Sequence, residues 1–280
     1  MTANPQAPGH NDYVPGYAHI KHHEWRTAEN SAGYLIPVVQ SKVEENAAIK
    51  LLDVGAGPGT ITVSLAKYMP EGQLIATDLS DAVLEKAAVF AEQAGVKNIE
   101  FQAADIYALP FPDNTFDIVH AHQVLTHLDA PVAALKEMLR VAKPGGVIAT
   151  RESDLRMWNF HPQVPGVVRF HETMLATHAA GGGATDAGVR LVSWAMKAGA
   201  KRESITASMG TWCYSTPGER RVWGGTMAER ARNGEFRKKA LQVGIATDDE
   251  FEFMAKGWDE WIATEDACLG CMHGEILVRK

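Results

Sequence analysis

Cysteine is scarce in this chain of 280 residues, which contains only three. They are Cys213, Cys268 and Cys271, an odd set that does not form the framework of a disulfide-stabilised secreted domain. The Cys268-x-x-Cys271 pair, with His273 nearby, is half of a structural zinc motif, but no second pair completes it. We therefore expect a cytoplasmic protein without a bound metal.

Excess positive charge and long apolar runs are also missing. The 27 lysines and arginines face 34 aspartates and glutamates, which gives a formal net charge of −7. A nucleic-acid-binding protein needs a basic face, whereas glutamates interrupt the one basic stretch, Glu219 to Lys239. No segment resembles a signal peptide or reaches the length of a membrane span. The sequence therefore predicts a protein that binds neither nucleic acid nor membrane.

The chain does contain a regular alternation of short apolar runs and amphipathic stretches, within a composition that is 46% hydrophobic. This alternation is typical of a parallel sheet with crossover helices. We predict a Rossmann-like α/β fold with seven strands, mostly parallel, and helices on both faces. The first five predicted strands are Lys50 to Val54, Gln73 to Asp78, Ile99 to Ala103, Phe116 to His120 and Val147 to Arg151.

Two further strands complete the predicted sheet. One covers Ser204 to Ser208, and the terminal "HGEILVRK" forms an antiparallel last strand. If both strand ends meet at the carboxyl edge, the segment between them covers the edge where ligands bind in such sheets. We thus divide the chain into an N-terminal arm and helical lid (1–45), a core (46–208), a helical cap insertion (209–272) and the final core strand (273–280).

The stretch "LLDVGAGPGT" places Gly55, Gly57 and Gly59 between a strand and a helix. Glycines here allow positive φ and bring backbone amides close to a ligand. The second strand ends at Asp78, where an acid in such folds accepts hydrogen bonds from ribose hydroxyls, and Leu79 can flank an adenine. This spacing fits NAD and adenosyl ligands equally well.

The residues after the third strand and the glycine spacing distinguish between NAD and an adenosyl ligand. Asp105 follows that strand and can accept a hydrogen bond from the exocyclic adenine amine, with Ile106 packed on the ring. Only Pro58 lies between Gly57 and Gly59, whereas the dinucleotide fingerprint has two residues there. The pattern therefore argues against a pyrophosphate ligand such as NAD.

Four segments occur in order over about a hundred residues: "LLDVGAGPGT", "IATDLS", "AADIYALPFPDNTFDIVHAHQVLTHL" and "EMLRVAKPGG". With them the chain resembles the class I S-adenosylmethionine-dependent methyltransferases, in the group of the ubiquinone and menaquinone biosynthesis methyltransferases. The resemblance implies S-adenosylmethionine as cofactor and methyl transfer as activity. The quinone acceptor is not implied, because nothing after Trp158 matches a quinone-specific signature.

The resemblance also implies roles for residues at matching positions. Asp53 would order the glycine loop and lie near the methionyl amine, and Ala56 would line the cofactor with the flanking glycines. Asp78 would hold the ribose, and Asp105 with Ile106 would hold the adenine. The ordering role of Asp53 has an alternative, in which its carboxylate caps the turn by accepting backbone N–H groups.

The end of the fourth strand and the N-terminal helical segment would complete the cofactor site. Ala121 and His122 would face the methionyl group. Tyr17 and Arg26 would close over the cofactor, with Arg26 paired to its carboxylate.

Methyl transfer from a sulfonium depends mainly on alignment and on exclusion of water, so a general base is optional. Where the acceptor carries an acidic proton, a histidine can remove it. The candidates are His122, which we favour, and His127. Other side chains that we expect near a small organic acceptor are Arg151, Glu152, Asp154, Trp212, Tyr214 and Trp223, although the aromatics are equally typical of a core.

Our first hypothesis is a methyltransferase that acts on a small acceptor, such as a secondary metabolite. Two alternatives remain open. The first is a protein that binds S-adenosylmethionine without transferring its methyl group, as a regulatory module or a sulfonium-assisted catalyst. The second is an NAD-dependent oxidoreductase, which the glycine spacing disfavours. The acceptor, its methylated atom and the oligomeric state are not encoded in any motif.

Overall fold

The apolar segments form a seven-stranded sheet in the computed structural model, which describes residues 25–280. The strands are β1 Lys50–Val54, β2 Gln73–Asp78, β3 Ile99–Ala103, β4 Phe116–His122, β5 Ala142–His161, β6 Ile205–Tyr214 and β7 Cys268–Arg279. Their order is β3-β2-β1-β4-β5-β7-β6. Strands β1 to β5 pair in parallel, and β7 is antiparallel to both β5 and β6. The predicted Rossmann-like fold is confirmed.

Helices cover both faces of the sheet and its carboxyl edge. They are α1 Ala28–Ser31, α2 Ile36–Glu45, α3 Thr60–Ala66, α4 Asp81–Gln93, α5 Pro131–Val141, α6 Pro165–Ala180, α7 Ala187–Ala198, α8 Pro217–Asn233, α9 Glu235–Gln242 and α10 Asp248–Ala263. On one face, Leu35 and Val39 of the N-terminal segment pack with Leu65 of α3. On the other, Leu135 of α5 and Leu191 of α7 pack against the sheet. The central sheet is thereby buried on both sides, as parallel sheets require.

The predicted bounds of the later strands were too short. β5 continues past Arg151 to His161, and β6 continues past Ser208 to Tyr214. Both strands are longer because they pair with a distant segment of the chain. Strand β7 already begins at Cys268 and pairs with β5 and β6 along its length. Residues 209–214 and 268–272, which we had assigned to the helical cap, are therefore strand residues.

A separate apolar cluster lies beyond this extended sheet. It brings Phe170 of α6 together with Trp223 of α8, Trp258 and Trp261 of α10 and Leu269 of β7. Helix α6 precedes β6 in the chain and was not part of the predicted cap. The cap therefore has its own core, built from helices on both sides of β6.

Local sequence explains where the cap helices begin. In α8, Thr216 Oγ1 accepts a hydrogen bond from the amide of Glu219, whose carboxylate accepts one from the amide of Thr216. Thr247 and Glu250 form the same reciprocal pair at the start of α10. These capping boxes satisfy amides that a helix leaves unpaired in its first turn.

Two helical glycines of the cap offer a test of its packing. A Cβ at Gly257 of α10 would lie 2.6 Å from the Gly166 Cα of α6, whereas a Cβ at Gly225 of α8 would meet no atom within 4 Å among the described residues. We expect Gly257→Ala to lower the free energy of unfolding by about 1–3 kcal/mol through overpacking. Gly225→Ala, the control, should raise it by about 0.5–1 kcal/mol. Urea unfolding measures both, and equal effects would contradict the close α6–α10 contact.

Candidate active site

The glycine loop between β1 and α3 has three residues with positive φ, which are Gly55 at 69°, Gly57 at 56° and Gly59 at 76°. A Cβ on Gly55 would lie 2.5 Å from Val124 Cγ2, and one on Gly59 would lie 2.8 Å from Ala87 Cβ. These two glycines therefore allow close packing. A Cβ on Gly57 would have no described atom within 4 Å, so the loop is open at this position.

The end of β2 borders this open side of the loop. The amide of Gly57 donates to Asp78 Oδ2 at 3.0 Å, and the amide of Ser80 donates to Oδ1 at 3.3 Å. Burial raises the pKa of Asp78, while these two amides favour its charged form. The next side chain, Leu79, is 61% exposed. A carboxylate and an exposed apolar side chain thus lie together, as a ribose and its base require.

The end of β3 lies next to Asp78, because β2 pairs with β3 through Asp78 and Ala103. Asp105 follows two residues later, half-buried, and its Oδ1 accepts a hydrogen bond from the amide of Tyr107 at 2.9 Å. Ile106 is buried in the cluster that includes α5. The two predicted adenine-binding residues therefore follow β3 at the same edge as Asp78.

Asp53, which precedes the glycine loop, connects β1 to its neighbours through side chains. Its Oδ2 accepts a hydrogen bond from Thr62 Oγ1 at 2.6 Å, and its Oδ1 lies 2.8 Å from His120 Nδ1. Within residues 25–280 these side chains, and not backbone amides of the turn, are the partners of its carboxylate. Asp53 thus fixes β1 to β4 and to the first turn of α3.

His122 ends β4 with a buried side chain. Its ring centroid lies 5.9 Å from that of Trp212 on β6. Within the described chain both ring nitrogens are buried without a hydrogen-bond partner. Burial, reinforced by Arg26 and Arg151, lowers its pKa well below the ordinary 6.5, so the imidazole is neutral at physiological pH. The preceding residue, Ala121, has its side chain in the cluster on the opposite face of the sheet.

Charged and aromatic side chains surround Trp212, and we call this surface the Trp212 face. The guanidinium carbons of Arg26 and Arg151 lie 4.9 and 5.1 Å from the Trp212 ring centroid. The ring of His273 lies 4.2 Å from it. The carbonyl of Asn30 accepts hydrogen bonds from Trp212 Nε1 at 2.8 Å and from Arg151 Nη1 at 3.1 Å. The N-terminal segment is thereby fixed over this face.

Two tyrosines belong to the same region. The hydroxyls of Tyr34 and Tyr214 are buried without a hydrogen-bond partner among residues 25–280. Burial raises the pKa of both phenols, so they are neutral donors. Trp25 contacts Tyr214 and Trp212 edge-on, with ring centroids 5.8 and 5.0 Å apart. The site therefore holds several polar atoms that a ligand can satisfy.

The loop after β4 is held by Glu152 of β5, a buried residue. Its carboxylate accepts hydrogen bonds from the amides of Val124, Leu125 and Thr126 at 3.0, 2.9 and 3.2 Å. Burial raises its pKa to about 8, although the three amides favour the ionised form. Because Gly55 has no room for a Cβ against Val124, this clamp also positions the glycine loop.

His127, the second predicted catalytic histidine, lies in the turn after β4 and contacts α6. Its ring centroid is 5.4 Å from that of His178. Burial lowers its pKa to about 3, so its ring is neutral. Of the two predicted histidines, His122 is the one that contacts Trp212, and a catalytic role for either stays a prediction. Tyr17 lies outside the described residues.

The cysteines are arranged differently from the zinc half-motif in the sequence. Cys268 Sγ lies 3.7 Å from Cys213 Sγ on the neighbouring strand, while Cys271 is buried. Between residues 25 and 280 no group of three or more histidine, cysteine, aspartate or glutamate side chains is placed to hold a metal ion.

Sequence reasoning missed Tyr34, His273 and Glu275 as site residues. The two β7 residues alternate with apolar neighbours in "HGEILVRK", and this alternation places polar side chains on one face of an otherwise apolar strand. That pattern was a usable signal. Tyr34 had none, because its position near Glu275 and Arg151 depends on the docking of the N-terminal segment.

The sheet order with its antiparallel β7, the open glycine loop and the acids after β2 and β3 define a nucleoside-binding fold of the methyltransferase type. A family model described as a methyltransferase domain matches residues 45–195, which is more than half of the chain. The chain belongs to the class I S-adenosylmethionine-dependent methyltransferases, and ubiquinone/menaquinone biosynthesis C-methyltransferases are among its relatives. It is an enzyme whose cofactor is S-adenosylmethionine.

Two fungal relatives match almost the full length. An uncharacterized methyltransferase of Schizosaccharomyces pombe is 36% identical over 268 residues, covering 92% of each chain. A probable methyltransferase of Aspergillus luteorubrus is 30% identical over 287 residues, covering 96% of this chain and 98% of its own. Among solved structures, the YcgJ protein of Bacillus subtilis is similar in fold, with a TM-score of 0.54 at 18% identity over 89% of this chain and 99% of its own.

The raised pKa of Glu152 predicts how stability depends on pH. The pKa of this carboxyl is about 8 in the folded protein and near its ordinary 4.5 in the unfolded chain. Its contribution to the free energy of unfolding is therefore fully present below pH 4.5 and is lost as the pH rises through 8. We therefore expect the unfolding free energy of the wild type, relative to Glu152→Gln, to fall as the pH is raised from 5 to 8. The slope should approach about 1.4 kcal/mol per pH unit.

Urea unfolding of both proteins at four pH values measures this difference. Glu137→Gln is the control, because Arg140 lowers the pKa of Glu137 below its ordinary 4.5 and the carboxylate stays charged throughout. A wild-type advantage over Glu152→Gln that grows with pH would show that the three amides outweigh burial.

Proposed function

We propose that this enzyme transfers the methyl group of S-adenosylmethionine to a small organic acceptor bound at the Trp212 face. The observation that carries the proposal is the position of His122. Its neutral, buried ring ends β4 beside Trp212, and neither nitrogen has a partner within the described chain. A neutral imidazole can accept a proton from an acceptor or orient it by a hydrogen bond.

The residues around the glycine loop fit the cofactor. The open side of Gly57 leaves room for it, Asp78 would accept hydrogen bonds from the ribose, and Asp105 would accept one from the adenine amine. Leu79 would pack on the adenine, since it is a large apolar side chain left exposed at this point. The bound sulfonium supplies an already activated methyl group.

Arg26 is suited to the methionyl carboxylate. It is buried, its Nε has no hydrogen-bond partner within residues 25–280, and burial lowers its pKa to about 9. A carboxylate ligand would satisfy both the unused donor and the buried charge. Tyr17 and Ala121 remain proposed contacts by family resemblance alone.

The protein itself then contributes alignment of the acceptor with the cofactor, exclusion of water and a proton acceptor. Trp212 would present its indole ring to the acceptor, and the cap helices and the N-terminal segment bury the groups around it. Exclusion of water strengthens electrostatic interactions and aligned binding lowers the entropic cost of the displacement. His122 would take up a proton that leaves the acceptor.

The nature of the acceptor is a separate part of the proposal. The ubiquinone/menaquinone biosynthesis C-methyltransferase of Cronobacter sakazakii matches only 105 residues, 37% of this chain, at 35% identity. A quinone acceptor is therefore not carried over, and we favour a small secondary metabolite. No helix within residues 25–280 has the length and apolar character of a membrane span. Action in the cytoplasm remains part of the proposal, and so does the absence of a nucleic-acid partner, which the net charge of −7 supports.

The cofactor site is tested by calorimetric titration with S-adenosylhomocysteine. We expect Asp78→Ala and Gly57→Ala each to weaken binding by about tenfold or more, because one loses the ribose acceptor and the other fills the open loop. Gly95→Ala is the control, since Gly95 has φ of 69° and no described atom within 4 Å of its Cβ position, yet follows α4 away from the loop. Equal affinities for Gly57→Ala and Gly95→Ala would refute the proposed position of the cofactor.

Turnover tests His122. Once an acceptor is found by screening for S-adenosylhomocysteine release, His122→Phe should lower kcat by about 10²–10⁴ if it acts as a base, with S-adenosylhomocysteine affinity unchanged. Because its pKa is well below 6.5, wild-type kcat/KM should stay level from pH 8 to 6.5 instead of falling as for an ordinary histidine. Binding without any turnover would favour the non-methylating alternative.

A further inference from the structure

Two of the three cysteines lie side by side on neighbouring strands. Cys213 Sγ on β6 is 3.7 Å from Cys268 Sγ on β7, although the two residues are 55 positions apart in the chain. The sulfur atoms of a disulfide are about 2 Å apart, so the two groups are free thiols in close contact. Only a small further approach of the two side chains separates this contact from a bond.

The pairing of β6 with β7 explains the contact. The two strands pair antiparallel without a break from Ile205 to Tyr214. The residue directly opposite Cys213 is Gly270, and Cys268 is two residues away from Gly270 on the same face of β7. A Cβ at Gly270 would have no described atom closer than 3.9 Å. The space beside Cys213 is therefore open, and its side chain can lean towards Cys268.

The two thiols of this pair are accessible, whereas the third thiol is not. Cys213 is exposed and Cys268 is half-buried, but Cys271 is buried among the apolar side chains of the cap. Cys271 is opposite Trp212 in the strand pairing, and its odd spacing from Cys268 puts the two on opposite faces of the sheet. The accessible pair therefore lies on the side of the sheet away from the Trp212 face.

The pair also joins the two ends of the segment that carries the last three helices of the cap. Cys213 is the last residue but one of β6, before α8 begins at Pro217. Cys268 is the first residue of β7, after α10 ends at Ala263. A bond between the two sulfur atoms would thus close a loop that contains α8, α9 and α10. Closing a long loop stabilises a protein chiefly by restricting its unfolded chain.

We infer that Cys213 and Cys268 are a redox-sensitive pair, which a small disulfide compound such as glutathione disulfide oxidises to a reversible crosslink that holds the two ends of this segment together. The inference does not rest on the proposed function, because neither thiol belongs to the cofactor site or to the Trp212 face.

The oxidation proceeds by two thiol–disulfide exchanges. The exposed Cys213, as thiolate, attacks one sulfur of glutathione disulfide, which releases one glutathione and leaves a mixed disulfide on Cys213. Cys268 then loses its proton to solvent and attacks the Cys213 sulfur, which releases the second glutathione. Two protein thiols are oxidised, and one glutathione disulfide is reduced to two glutathione molecules.

The test uses the full chain, which has three cysteines. After incubation with glutathione disulfide, the remaining thiols are alkylated in denaturant and counted by mass spectrometry of the intact chain. We expect the count to fall from three to one, because two thiols are consumed by the crosslink. Peptide mapping without reductant should show Cys213 linked to Cys268, and excess reduced glutathione should restore all three thiols.

Two variants distinguish this pair from other pairings. Cys213→Ser should abolish the crosslink, because it removes the exposed partner. Cys271→Ala, the control, should form the crosslink as the wild type does, and it leaves Cys268 as the only cysteine of β7. Thermal unfolding measures the constraint on the cap. Oxidation should raise the Tm of the wild type by about 5 °C or more and leave the Tm of Cys213→Ser unchanged.

Three results would overturn the inference. The first is a protein that keeps all its thiols, or that stops at the mixed disulfide with glutathione. The second is a link that involves Cys271 or joins two copies of the chain. The third is a crosslink between Cys213 and Cys268 that leaves the Tm unchanged, since it would not constrain the cap. All these measurements are made without S-adenosylhomocysteine, so failure of the cofactor site is seen separately.

Discussion

The antiparallel pairing of β7 between β5 and β6 is the constraint on which the rest of the molecule depends. It runs from Val147 opposite Arg279 to His161 opposite Cys268, and so carries the sheet well past the ends of the parallel strands. Backbone hydrogen bonds in this ladder hold the Trp212 face and anchor the cap helices at once. Without it, Trp212 and the charged groups around it would have no rigid support.

The same ladder explains why the two halves of the site differ in character. The half proposed for the cofactor consists of loops at strand ends, where backbone amides and carboxylates such as Asp78 are available. The half proposed for the acceptor consists of every second residue along the strands, so its chemistry is decided by side chains. Arg151, Glu275 and Ser208 lie side by side across three strands because the register aligns them.

The glycine loop and the strands around it could be predicted from sequence because their signals are local. The glycine loop and the bounds of β1, β2 and β3 depend on residues close together in the chain, and the structure has them where expected. The acceptor half depends on contacts between distant segments, such as Arg151 with Glu275 and Trp212 with the carbonyl of Asn30. Short-range periodicity carries no information about such partners, so the strand extension and the role of α6 were missed.

The alternation along β6 and β7 has a consequence for how acceptor preference can change. Side chains at Ser208, Gly210 and Trp212 belong to one face of β6, and the residues between them belong to the other. Gly210 is the closest point of this face, since a Cβ there would collide with Glu275 Oε1 and lie 3.2 Å from Arg151 Nη2. A side chain at that residue would displace Glu275 and the Arg151 guanidinium while leaving the glycine loop untouched. Under the proposed function, substitutions at a few positions on these two strands would change which molecules are methylated, independently of the residues proposed to hold the cofactor.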